Sequence, residues 1–334
     1  MASFKWITSW IDGVRPDKSN IRNLFRDEVA GYQTLAELQA ATTQSTRLVM
    51  VDGVPYLYDS ADSSSVDNGV TVLVSADSKR YKLIPKLREK LTGARTYYVR
   101  TDGSNSNDGL ANSSSRAFLT IQKAIDTVAA LDTSIYLVTV SVADGTYNET
   151  VFLKDPVGAG NCVLVGNTTT PGNVIVSASI PIYGGSSRKW FVSGIRANGS
   201  SISFFAEKGG NLTIDGPVEV GAASAYHFNA QQQATIVVIG NVRVKGSAYA
   251  YVFSSALSNV SFGSITTTID AGANYTHFMF CNGLSRIDYS TPTTSGTNSG
   301  TKGYVDTNSV VYSAGGGSNI PGSAAVTATG GLFL

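Results

Sequence analysis

Between Phe204 and Ser290 the side chains with chemistry to offer are Glu207, Asp215, Glu219, Asp270, Asp288, His227 and His277. Cleavage of a glycosidic bond needs two carboxyl groups about 5 to 10 Å apart, one of them raised in pKa to act as an acid. Which acids could meet depends on the repeat that carries them. Segments beginning Phe204-Phe205-Ala206, Phe228-Asn229-Ala230, Phe253-Ser254-Ser255 and Phe278-Met279-Phe280 follow one another at 24 or 25 residues. Against those anchors, no two adjacent repeats carry a carboxylate at one position. Glu207 and Asp215 share a repeat and are the candidate catalytic pair. Solvated turn acids are the competing reading, since acids ordinarily sit at the surface. His227 and His277 each immediately precede an anchor, which predicts one register two repeats apart, near 10 Å at about 4.8 Å per strand. Within one chain that is too far for a shared ion, so no metal site is predicted. No Ser/His/Asp set, phosphate loop, Cys/His cluster or EF-hand survives a spacing check, and no cofactor is predicted.

The elements that position these residues are short strands. Each repeat holds an aromatic residue, a small-polar stretch and an alternating apolar run: Leu212-Thr213-Ile214, Ile236-Val237-Val238, Val260-Ser261-Phe262 and Ile287-Asp288-Tyr289. Beyond the first three come Val218-Glu219-Val220, Val242-Arg243-Val244 and Thr267-Thr268-Ile269. A period of this length with several strands and no room for a helix predicts one coil of a parallel β-helix. Such a coil buries its inward residues only by stacking on the next. The predicted fold is mainly β: a right-handed parallel β-helix of seven or eight coils, preceded by N-terminal helices and a small α/β-hairpin domain.

Composition agrees. The 334 residues include 34 glycines but only 15% charged residues, a balance suited to a solenoid of tight turns and polar stacks. A net charge of +1 gives no electrostatic reason to expect nucleic acid or an anionic membrane. No run of about 18 apolar residues predicts membrane insertion, and Met1 to Trp6 lacks the apolar core of a signal peptide. Cys162 and Cys281 read as buried small hydrophobes in a reducing compartment.

Five segments follow. In residues 1–31, Phe4, Ile7, Trp10 and Ile11 recur at helical intervals, and Ile21, Leu24, Phe25 and Val29 form the face of a second helix closed by Gly31. With Trp6 and Trp10 this face is too large for so short a helix to bury. It reads either as docking on its own domain or a trimer axis, or as an anchor in a larger particle formed by Phe4, Trp6, Ile7, Trp10, Ile11, Leu24 and Phe25. Residues 32–85 predict a helix capped by Thr34, then a hairpin with Asp52-Gly53 at its turn, then the pair Thr71–Val74 and Arg80–Ile84. Residues 86–96 are a basic linker, by default a solvated helix. The β-helix occupies 97–290. The Gly/Ser/Thr-rich segment 291–334 ends in Leu332-Phe333-Leu334, which predicts an extended strand packed against neighbouring chains at a tip.

Two resemblances attach to these residues. The order Thr34-Leu35-Ala36-Glu37-Leu38, Tyr56-Leu57-Tyr58-Asp59, Asp67-Asn68-Gly69-Val70-Thr71 and Arg80-Tyr81-Lys82-Leu83 resembles the particle-proximal domain of tailed-bacteriophage tailspikes. That family carries Tyr-Tyr-Asp, Asp-Asn-Gly-Gly-Thr and Arg-Trp-Lys-Arg in succession; here Leu57, Val70 and Tyr81 depart from the pattern. Further on, Tyr97–Ser104, Ala117–Asp126 and Val142–Glu149 are similar to the start of pectate-lyase-like β-helices, where a helix carrying Phe118, Ile121, Ala124 and Ile125 would cover the first coil.

The resemblance implies a homotrimeric tail appendage, tailspike or tail fibre. It would be assembled in the bacterial cytoplasm, attached to phage tail or baseplate proteins by its N-terminus, and carried on the virion. Bacterial surface polysaccharide is the expected ligand, held on the ring faces of Tyr226, Tyr249, Tyr251 and Tyr275. A depolymerase cleaving capsule or lipopolysaccharide through Glu207 and Asp215 is the rival expectation, and a purely structural baseplate or fibre protein the third. Pectate-lyase-like folds host many functions, so the fold alone does not choose.

Overall fold

A computed structural model describes residues 29–42, 48–84, 88–185, 190–313 and 317–334. The helices expected between Phe4 and Phe25, with all seven anchor residues, lie outside them. The chain forms two compact units, one ending before Arg88 and one running from Arg88 to Leu334.

In the first unit, five strands lie in the order Val29–Tyr32, Leu48–Val51, Val54–Tyr58, Arg80–Leu83, Val72–Val74. Val29 and Gly31, read from sequence as the end of a helix, belong instead to a strand parallel to Leu48–Val51. Asp52 and Gly53 both take positive φ, the backbone a two-residue hairpin needs. Thr34 caps the helix Leu35–Ala40 by accepting the Glu37 N–H. Leu38, Val49, Val51, Tyr56, Leu73 and Tyr81 form the core. The Asp-Asn-Gly motif has a local structural role. Asn68 Oδ1 accepts the N–H groups of Val70, Thr71 and Val72, while Asp67 accepts those of Gly69 and Val74.

The second unit is a parallel β-solenoid of about eight turns, with sheets of seven, eight and ten strands. The apolar runs stack as the sequence predicts: Leu212, Ile236, Val260 and Ile287 are in register in the ten-stranded sheet. At the corner between the eight- and ten-stranded sheets, Lys208-Gly209, Gln232-Gln233, Ala256-Leu257, Gly283-Leu284, Thr307-Asn308 and Thr329-Gly330 all take positive φ, so one turn geometry recurs on successive rungs. Thr120 caps the helix Ile121–Ala129, which buries Ile121, Ala124, Ile125 and Val128 beneath the first turn. Glu149 accepts the Ile121 and Gln122 N–H groups at the same helix end.

Two expectations change. The linker is strand, not helix: Glu89–Lys90 pairs with Leu131–Asp132, and Arg95–Val99 is already the edge strand of the ten-stranded sheet. The C-terminal segment is not a separate extension. Its strands Thr293–Ser295, Thr301–Val305, Val310–Ser313, Val326–Thr327 and Leu332–Phe333 continue all three sheets in register. Phe333 packs on the core while Leu332 and Leu334 stay exposed. Composition misleads here because Gly, Ser and Thr occupy the turns and outer faces, and a few inward residues such as Val305 and Val311 carry the burial.

Candidate ligand-binding face

The eight-stranded sheet carries one outer column through all its rungs. Phe152, Tyr183, Phe205, Asn229, Phe253, Phe280, Tyr304 and Val326 are successive register partners. Six of these are aromatic, and adjacent rings touch: 5.0 Å between centroids for Phe152 and Tyr183, for Tyr183 and Phe205, and for Phe253 and Phe280, then 5.3 Å to Tyr304. Rings at that spacing, tilted for Phe152 and Tyr183 and edge to face for the other pairs, add to simple area burial. Yet the column is not a closed core. Phe152 is 46% exposed, Tyr183, Phe280 and Tyr304 are half-buried, and only Phe205, Asn229 and Phe253 are covered.

Tyr226, Tyr249 and His277 widen the column into a face. Tyr226 lies parallel to Phe253, 4.3 Å between centroids, and Tyr249 sits beside Tyr226, His277 and Phe280. The His277 Nδ1 is 2.7 Å from the Thr301 hydroxyl, and burial lowers its pKa. Of the four tyrosines expected to hold carbohydrate, Tyr226 and Tyr249 are thus on this face. Tyr251 and Tyr275 are not: both are buried inside the solenoid, Tyr251 stacked against Phe278 and Tyr275 bonded to His227. They are corrected to core residues.

The histidines do not share a register either. His277 pairs with Ala250 and thence with Tyr226, whereas His227 is fully buried one residue further along its strand. The expected frame slips because the rungs are unequal. Asn211, Thr235 and Asn259 are partners at 24-residue steps, but the next step, to Arg286, is 27. Phe253 stands one residue beyond Val252, the partner of Phe228, and the longer rung that follows pairs Val252 with Met279, which leaves Phe278 one residue short of the Phe204–Phe228 column. Inside, His227 Nε2 lies 2.7 Å from the Gly221 carbonyl and Nδ1 lies 2.8 Å from the Tyr275 hydroxyl. A carbonyl can only accept, so Nε2 carries the proton and Tyr275 donates to Nδ1. Burial depresses this imidazole to about 3.

The candidate acid pair is not assembled. Glu207 follows the strand Ile202–Ala206, before the corner at Lys208-Gly209, and Asp215 follows the strand Asn211–Ile214, so the corner and a four-residue strand of roughly 10–13 Å lie between them. Glu207 is held by Lys208 at 2.8 Å and by the Tyr183 hydroxyl, which together keep it below the usual carboxylate range. Burial pushes Asp215 up. The other acids of the repeat are paired: Glu219 with Arg196, Asp270 with Arg243 and Lys245, and Asp288 with Arg286. Among the described residues no group of His, Cys, Asp or Glu is placed to hold a metal ion.

The sequence reading missed Phe152, Tyr183, Phe205, Phe253, Phe280 and Tyr304 as a set. The signal was present as aromatic residues alternating with inward ones, but only the true rung lengths align them. Compared with family models, curated proteins and solved structures, the chain finds no match.

Proposed function

We propose that this chain is a polysaccharide-binding β-helix and, more specifically, the host-facing body of a bacteriophage tail appendage. The observation that carries the binding reading is the half-exposed aromatic column on the outer face of the eight-stranded sheet. Contiguous exposed apolar surface marks an interaction site. A row of ring faces repeating at the strand spacing of about 4.8 Å is suited to the C–H faces of a linear chain of sugar rings. The phage assignment, with trimer assembly, attachment to tail or baseplate proteins and a place on the virion, is supported by the ordered N-terminal motifs and their position before a β-helix. The separation of Glu207 from Asp215, and the pairing of the remaining acids, favours adhesion over depolymerisation.

The test is incubation of the purified full-length chain with immobilised bacterial capsular polysaccharides and lipopolysaccharide O-chains, scoring retention and polysaccharide length together. Retention without shortening is expected. Shortening would make the chain an enzyme; no retention on any polysaccharide would leave only a structural role.

A further inference from the structure

Asn229 breaks the outer column at its centre. It lies in register between Phe205 and Phe253 and is fully buried, and neither its Nδ2 nor its Oδ1 has a hydrogen-bond partner. A primary amide with both polar atoms buried and unpaired destabilises a fold, whereas an apolar side chain of similar size would continue the column without that cost. The neighbouring geometry shows how the gap is filled. Tyr226, three residues earlier on the same strand, stacks on Phe253 at 4.3 Å and 7°. Its ring therefore takes the stacking position against Phe253 that a ring at 229 would hold, one strand spacing away. A local rule broken with no return inside the fold is expected at a functional position.

We propose that Asn229 is the specificity-determining residue of this face, reading a vicinal pair of hydroxyls on a sugar when the Tyr226 ring swings off Phe253. This rests on the polysaccharide reading above. The amide presents one acceptor and one donor side by side, so one sugar hydroxyl donates to Oδ1 while its neighbour accepts from Nδ2. Tyr249 and Phe280 flank the ligand with ring faces.

The experiment uses the full chain with Asn229→Leu and Tyr249→Ala on the same panel of immobilised capsular polysaccharides and O-chains. Each is presented intact or after periodate oxidation, which cleaves vicinal diols. Asn229→Leu is expected to weaken retention about tenfold or more while raising the melting temperature by about 2–4 °C, since it removes an unpaired amide. Periodate treatment should abolish retention of the unsubstituted chain. Should Asn229→Leu not fit, Asn229→Met fills the same space more flexibly. Retention of the wild type, loss with Tyr249→Ala and no loss with Asn229→Leu would overturn the inference and leave the polysaccharide reading standing. A melting temperature lowered by both Asn229 variants would also overturn it, as would a change in oligomeric state in sedimentation, which would mark the column as a contact between copies. No retention of the wild type would remove both.

Discussion

The two sides of the eight-stranded sheet are built from the same residue types and behave differently. Inside, Phe204 stacks on Phe228 with centroids 5.3 Å apart, Tyr251 stacks on Phe278, and the buried polar groups of His227 and Tyr275 satisfy each other and the Gly221 carbonyl. Outside, the rings from Phe152 to Tyr304 also touch, but most remain half-exposed and the amide of Asn229 is left unpaired. Aromatic content therefore does not distinguish a core from a binding face. What distinguishes them is whether burial of the rings is completed within the chain.

The strongest way to break this comparison is at Phe228. Its ring is fully buried against Phe204, Tyr251 and Phe262. Phe228→Ala should cost about 3–5 kcal/mol in denaturant unfolding, because a stacked rung cannot collapse around the void without moving its neighbours. A loss below about 1 kcal/mol would mean the interior is no better packed than the outside.

The interior histidine gives the next largest effect. His227 in the fold is held at about 3 by burial, below the roughly 6.5 of an unfolded histidine. As pH falls the unfolded chain takes the proton first, so stability declines from about pH 6.5 downward, by up to about 1.4 kcal/mol per pH unit. His277 shifts in the same direction. Glu149 and Asp215, both raised by burial, act oppositely and gain as acid protonates them, while the lowered carboxylates of Glu207 and Asp270 lose stability only near and below about pH 4. Between pH 6.5 and 4.5 the histidines therefore dominate, with an expected loss of about 2–3 kcal/mol in urea midpoints. His227→Gln should flatten that slope; an unchanged slope would show that the buried imidazole is not its source.

How much of this was legible beforehand follows the same inside–outside division. The apolar runs from Leu212 to Ile287 announced the ten-stranded sheet because its inward residues alternate cleanly and its rungs keep their register. The Asp52-Gly53 hairpin and the Thr34 cap were readable because each is set by neighbours in sequence. The outer column was not, since Phe253 stands one residue beyond the 24-residue partner of Phe228, and the longer rung after it leaves Phe278 one short of Met279. Nor did alternation separate the tyrosines: Tyr249 and Tyr251 stand two apart on one strand, where a regular pleat would share a face, yet Tyr249 is exposed and Tyr251 buried. The composition of the last 44 residues, from Thr291 to Leu334, concealed strands because a solenoid rung needs few inward apolar residues once the rung below is in place.

The smallest effect on stability should come from Tyr249→Ala, and it sharpens the comparison most. Tyr249 is 39% exposed and its ring meets Tyr226, His277 and Phe280 at 6.2, 5.4 and 6.1 Å. Removing it forfeits a partly solvated contact, which should cost less than about 1 kcal/mol in urea unfolding, against several for Phe228. Retention on polysaccharide should nevertheless fall strongly, because the exposed ring face supplies contact area to a ligand while adding little to the fold. Two substitutions of aromatic residues on adjacent strands of one sheet would then separate cleanly, one breaking the solenoid and the other its recognition. If Tyr249→Ala instead destabilised the chain as much as Phe228→Ala, the outer rings would be a second core, and the half-exposed column would have to be explained by packing alone.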